Sequence, residues 1–150
     1  KLDRSRAYQL AEPDVRQILK DNPSIEVVID LHRDGVAQGT HLVTKINGKP
    51  TAQIMFFNGL SRNASGNISY LQNKNLQGNL SFSLQLKLVC MRRFQNLAKP
   101  IYLKGYRYNM HLKERFTLIE LGNENNTLQE EINATKPLAM ILDCVLQGKK

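Results

Sequence analysis

No apolar run in this chain approaches the roughly 20 residues that a helix needs to cross a bilayer, so a membrane-spanning segment is not expected. The chain does not open on Met and lacks a signal-peptide pattern; Lys1 reads as a cut end of something longer. Cysteine is scarce. Cys90 and Cys144 stand far apart in helix-like apolar segments, where two buried thiols are a better reading than a disulfide, and this leaves the compartment open. Internal repeats and low-complexity tracts are missing, as are an RNP motif and the paired Cys and His of a zinc finger. That last absence carries weight, because 21 basic against 13 acidic residues give a formal +8. Such a charge would suit nucleic acid, anionic lipid or an acidic wall polymer. The basic residues are spread along the chain, with only MRR and a terminal KK as runs, so no nucleic-acid partner is expected.

What is present fits one globular domain over residues 1–150, with 41% hydrophobic and 23% charged residues. Helical spacing of Ala7, Leu10, Ala11, Val15, Ile18 and Leu19 predicts a helix over 5–22, broken or kinked at Pro13. The stretch IEVVIDLHRD (25–34) follows, a β-branched run that suits a strand buried on both faces. Residues 41–46 and 51–57 read as two strands joined at Asn47-Gly48, the strongest short hairpin signal. Residues 58–75 are polar and read as a surface loop. A helix over 79–94 is expected to gather Leu80, Leu84, Leu88 and Met91 on one face, with Phe82 and Leu86 beside it. Short strands at 101–103 and 116–121 come next, separated by a Tyr-rich turn. The last helix starts at Thr127, which forms a capping-box pattern with Glu130, and its Leu128, Ile132, Leu138, Leu142 and Val145 are expected to face inward. The order helix, strand, hairpin, helix, strand, strand, helix predicts an α/β three-layer sandwich with a mixed, mostly parallel sheet flanked by helices.

Two of these strands carry reactive groups at or near their ends, His32 after residues 25–31 and Glu120 within FTLIEL. In open α/β sheets, ligands bind beyond the carboxyl ends of the strands. A carboxylate inside an apolar strand is costly unless paired, hydrogen-bonded or metal-bound. One reading makes Glu120 an ion-pair partner of Arg33 or Arg107 and His32 a structural histidine. The other joins them: the imidazole as a zinc ligand, the carboxylate as general base on bound water, and Asp30 or Asp34 orienting the ring. His41 and His111 are expected to be structural or surface residues.

IDLHRDG, TAQIMFFNG, KGYRYNMHL and LIELGNENNTLQEE occur in that order, and together they resemble the catalytic domain of the stage II sporulation protein P family. The resemblance implies a zinc-dependent N-acetylmuramoyl-L-alanine amidase, which cuts the amide between the glycan's lactyl group and the stem peptide. Members are also described as lytic transglycosylases, working beside stage II sporulation proteins D and M during engulfment. It further implies an extracytoplasmic, membrane-associated setting. Carried onto this chain, the resemblance makes His32 a zinc ligand, Glu120 the catalytic acid or base, and Arg33 and Asp34 supporting groups. Asn126 matches an Asn after the glutamate motif, serving the substrate or preceding the helix cap. The family usually draws two more ligands, a His and a Glu, from an earlier part of the domain, and no His precedes His32 here. The chain is thus expected to be an N-terminally truncated amidase domain that holds zinc weakly, unless another segment or a second copy in a dimer completes the site. A wall-binding or scaffold module without catalysis is the alternative.

Overall fold

The computed structural model describes residues 6–148, so the expected helix start at Ser5 and the terminal Lys1 lie outside the described residues. Four strands form the main sheet: β1 (Val27–Asp34), β4 (Ile54–Gly59), β7 (Tyr102–Lys104) and β8 (Arg115–Asn123), in the order β1-β8-β4-β7. β1 runs parallel to β8 and β4 parallel to β7, while β4 and β8 are antiparallel, so the sheet is mixed and mostly parallel. The Asn47-Gly48 turn joins β2 (Val43–Ile46) to β3 (Lys49–Ala52), with positive φ at both central residues as a type I′ turn requires. The chain then breaks at Gln53 and enters the main sheet as β4, every residue of which is buried. Within the polar stretch 58–75 lie a minimal hairpin, β5 (Arg62–Asn63) with β6 (Gly66–Asn67), and a 3-10 turn at Ser69–Leu71.

Helices α2 (Leu76–Arg93) and α3 (Leu128–Leu146) cover one face of the sheet. The main core lies between them, built on Phe56, Phe82, Leu86, Ile119, Leu138 and Ile141. Each such side chain contributes roughly 1.5–3 kcal/mol by leaving water. Cys90 and Cys144 are free thiols in this layer, and burial raises the Cys90 thiol to about 11. The opposite face carries a smaller cluster of Phe57, Met110, Phe116 and Leu118, against which Tyr8, Val28 and Tyr108 pack. Tyr8 belongs to α1 (Ala7–Asp21), which thereby joins this second outer layer. The Thr127 hydroxyl accepts from the Glu130 N–H while the Glu130 carboxylate accepts from the Thr127 N–H, so the capping box starts α3 as expected.

Three expectations about burial fail. β1 is an edge strand, so Ile29 and Leu31 remain exposed on the face they present beside α3. α2 centres its buried stripe on Phe82 and Leu86, the pair beside the expected apolar face: Asn79, Phe82, Ser83, Leu86 and Cys90 are buried, while Leu84, Leu88 and Met91 face solvent. The buried stripe includes polar residues because they find partners. The Asn79 amide donates to the Lys113 and Glu114 carbonyls, and Ser83 bonds the buried Thr117 hydroxyl. In α3, Leu138 is buried as expected, but Ala134, Ile141 and Cys144 complete its core face and Leu128 and Ile132 are exposed. In α1 every residue is at least partly exposed, Leu10 and Ile18 among them, and Pro13 sits within one continuous helix.

Candidate active site

His32 and Glu120 meet because β1 and β8 are parallel neighbours in a register that sets one directly beside the other. Side chains alternate along a strand, so partners in register share a face. On that face Glu120 lies between His32 of β1 and Met55 of β4, away from the α2–α3 layer. A register shift between His32 and Asp34, which pairs with Asn123, interrupts the regular ladder just past the site.

Asp30, two residues before His32, lies on the same face and accepts from both neighbours. Its Oδ1 is 2.6 Å from His32 Nε2, and its Oδ2 takes the Tyr8 hydroxyl at 2.9 Å. With a carboxylate at Nε2, that nitrogen carries the hydrogen of the contact, and in the neutral ring the lone pair then lies on Nδ1. Of the two aspartates considered from the sequence, Asp30 holds the ring, whereas Asp34 pairs with Lys99 at 3.4 Å. The Tyr8 ring lies parallel to the imidazole, with centroids 6.5 Å apart. Burial, followed by the carboxylate and ring charges around it, raises the Tyr8 phenol, so it acts as a donor throughout the neutral range.

Glu120 is held away from the ordinary carboxylate range by its surroundings. Burial raises its pKa, and Asp34 and Asp30 add to the rise, while His32 and Lys99 pull the other way. Its Oε2 is buried without a hydrogen-bond partner among the described residues. The recess it lines, with Asp34, Gln53, Met55, Lys99 and Gly122, measures about 10 Å³, close to the space of a single water. A half-buried carboxyl with a raised pKa, a free oxygen and an oriented imidazole alongside suits general acid–base work.

The other expected residues do different jobs. Arg33 turns to the opposite face, where its Nε is 2.6 Å from Glu131 Oε1 and a terminal nitrogen donates to the Asn123 carbonyl at 3.1 Å. It ties the edge strand to the start of α3. Arg107 pairs with Glu12, so both arginines considered as partners of Glu120 are engaged elsewhere. Asn126 is buried in the turn after β8, accepting from the Asn123 N–H and donating to Glu130 and the Leu42 carbonyl. His41 bonds Glu130 at 2.7 Å, and His111 meets Glu12 and Arg16. Among the described residues, no group of three or more His, Cys, Asp or Glu converges as a metal site. His32 and Glu120 supply two donors, whereas a catalytic zinc takes three protein ligands. The described residues alone therefore do not fit zinc. Tyr8 and Lys99 were missed from the sequence. Neither carries a local signal, since each reaches the site only through tertiary packing.

The family model described as Stage II sporulation protein P matches residues 1–143. Stage II sporulation protein P of Bacillus subtilis (strain 168) is 27% identical over 134 residues, covering 86% of this chain and 30% of that protein. The chain thus spans about 30% of the length of the curated relative it matches. No solved structure matches it. Among the described residues no helix is long and apolar enough to cross a membrane. With the family model covering nearly the whole length, the chain belongs to the Stage II sporulation protein P family of sporulation proteins.

Proposed function

We propose that this chain is a peptidoglycan hydrolase unit that cleaves the amide between N-acetylmuramic acid and the stem-peptide L-alanine during engulfment. The observation that carries it is the placement of Glu120: raised pKa, unpartnered oxygen, water-sized recess, and His32 level with it on the next strand. Glu120 takes a proton from water in the recess as the new oxygen–carbon bond forms at the lactyl carbonyl. It returns that proton to the alanine nitrogen as the carbon–nitrogen bond breaks. General acid–base catalysis of this kind contributes roughly 10²–10⁴-fold. Lys99 lines the same recess and offers positive charge to the developing oxyanion.

Zinc belongs to this proposal as a requirement on the rest of the protein. His32 Nδ1 is the imidazole donor this chain offers beside the Glu120 carboxylate, and further ligands would come from elsewhere in the longer protein or from a second copy in a dimer. The family resemblance supports an extracytoplasmic, membrane-associated setting and stage II sporulation proteins D and M as partners. The +8 charge is consistent with anionic wall polymer. A wall-binding module without catalysis is the second reading, favoured by the two-donor count. The two readings separate on incubation with purified peptidoglycan. Release of free alanine amino groups, lost in Glu120→Gln, supports the hydrolase, whereas saturable wall binding with no release in the intact protein supports the module.

A further inference from the structure

All five tyrosines of the chain gather on the Glu120 face of the sheet or at its rim. Tyr8, Tyr70, Tyr106 and Tyr108 wall a cleft of about 580 Å³, within the range of small-ligand sites. Tyr108 is the anchor: its ring meets Tyr8 and Phe57 edge-on at 5.2 and 4.8 Å, and Tyr106 at 6.5 Å. Its backbone and that of Asn109 both adopt positive φ, a strained pair for non-glycine residues. The surroundings hold that geometry. The Asn109 amide donates to the Tyr8 carbonyl, and the Arg107 guanidinium donates to the Gln72 carbonyl and to Glu12. Gly59 lies so close beneath that a Cβ there would meet the Tyr106 carbonyl at 2.2 Å.

Against this fixed floor, Tyr106 and Tyr70 stand 63% and 76% exposed, with flat apolar faces in water. The cleft adjoins the active site at Tyr8, which lines the cleft, bonds Asp30 and lies along His32. A ligand lying in it would therefore extend away from Glu120 over aromatic rings, between polar groups of Gln9, Glu12 and Asn109. Such a surface suits pyranose rings, whose C–H faces stack on tyrosine and whose hydroxyls and acetamides bond a polar rim. It suits a stem peptide less, because the carboxylates of that peptide need a cation and the cleft's Arg107 is already paired with Glu12.

We propose that this tyrosine cleft binds the glycan strand of peptidoglycan, stacking sugar rings on Tyr106 and Tyr70. The inference rests on the hydrolase reading for its substrate, yet it is tested without any scissile bond. The chain contains no Trp, so its fluorescence reports the tyrosines directly. This 150-residue chain is titrated with an uncharged β-1,4-linked N-acetylglucosamine hexamer, with peptide-free glycan strands, and with free stem peptide. Affinities of variants are measured by calorimetry. Both sugars are expected to bind saturably with a change in tyrosine emission. The double variant Tyr70→Ala/Tyr106→Ala should weaken binding by about tenfold or more, from the loss of two stacking contacts, whereas the double Phe variant retains it. Absence of sugar binding, indifference to the alanine pair, binding of the charged strands alone, or binding of the stem peptide alone would each overturn the assignment. Failure of the hydrolase reading instead shows as glycan binding that depends on these tyrosines, with no release of stem peptides from whole wall.

Discussion

The two faces of the sheet are built on opposite terms. Toward α2 and α3 lie apolar side chains and fully satisfied polar pairs such as Ser83 with Thr117. Toward α1 lie Asp30, His32 and Glu120, with a carboxylate oxygen left buried and unpartnered. One face holds the fold and the other spends part of that stability on reactivity, a division expected where a site needs a perturbed group. Substitutions on the first face should therefore register as lost stability, and those on the second as lost activity.

The largest effect on stability should come from Leu86→Ala, which empties a fully buried position under α2 and costs about 2–5 kcal/mol by denaturant unfolding. A loss within about 0.5 kcal/mol, the size expected of an exposed surface position, would dissolve the contrast between the faces. Next comes Asp30→Asn, which removes the acceptor that orients His32. Release of stem peptides should fall by roughly 10–100-fold, the range seen when a partner orienting an imidazole is lost, with the melting temperature changed little. Thr127→Ala should cost about 1 kcal/mol through loss of the cap on α3, visible in thermal melts.

The same cap gives a pH dependence. Hydrogen bonds from His41 first, then Asn126 and the Thr127 N–H, lower Glu130 to about 2 against some loss from burial. A carboxyl depressed in the folded state gives stability that is fully present above its unfolded value of 4.5 and is lost as pH falls toward about 2. The acid limb of the stability curve should therefore flatten across that window in Glu130→Gln. The smallest effect belongs to Leu84→Ala on the outer side of α2, where the side chain is 49% exposed and the cost should stay within about 0.5 kcal/mol.

That His32 and Glu120 each stand at or near the end of a strand was legible, because both strands are strongly apolar; that the two strands pair in register was not, since it depends on the order of strands in the sheet. The hairpin and the capping box were legible, since Asn47-Gly48 and Thr127 with Glu130 act through local geometry. Which stripe of α2 faces the core was not. Hydropathy favours Leu80, Leu84, Leu88 and Met91, but the buried stripe contains Asn79 and Ser83, whose partners Lys113, Glu114 and Thr117 lie over 30 residues away. The β-branched run of β1 misled in a similar way. It reads as doubly covered, but its position at the sheet edge leaves Leu31 58% exposed. Tyr8 and Lys99 reach the site from distant segments, and only the assembled sheet joins them to Asp30 and Asp34.

The most direct test of the division is a pair of readings on Glu120→Gln: release of stem peptides from purified peptidoglycan, and thermal unfolding at neutral pH. A carboxyl raised by burial destabilises the fold once pH climbs above its ordinary value toward its folded one, so a neutral amide of the same shape removes that cost. The account predicts activity lost by at least about 10²-fold together with a melting temperature equal to or a few degrees above that of the parent. Retained activity, or lost activity explained by a lowered melting temperature, would contradict it.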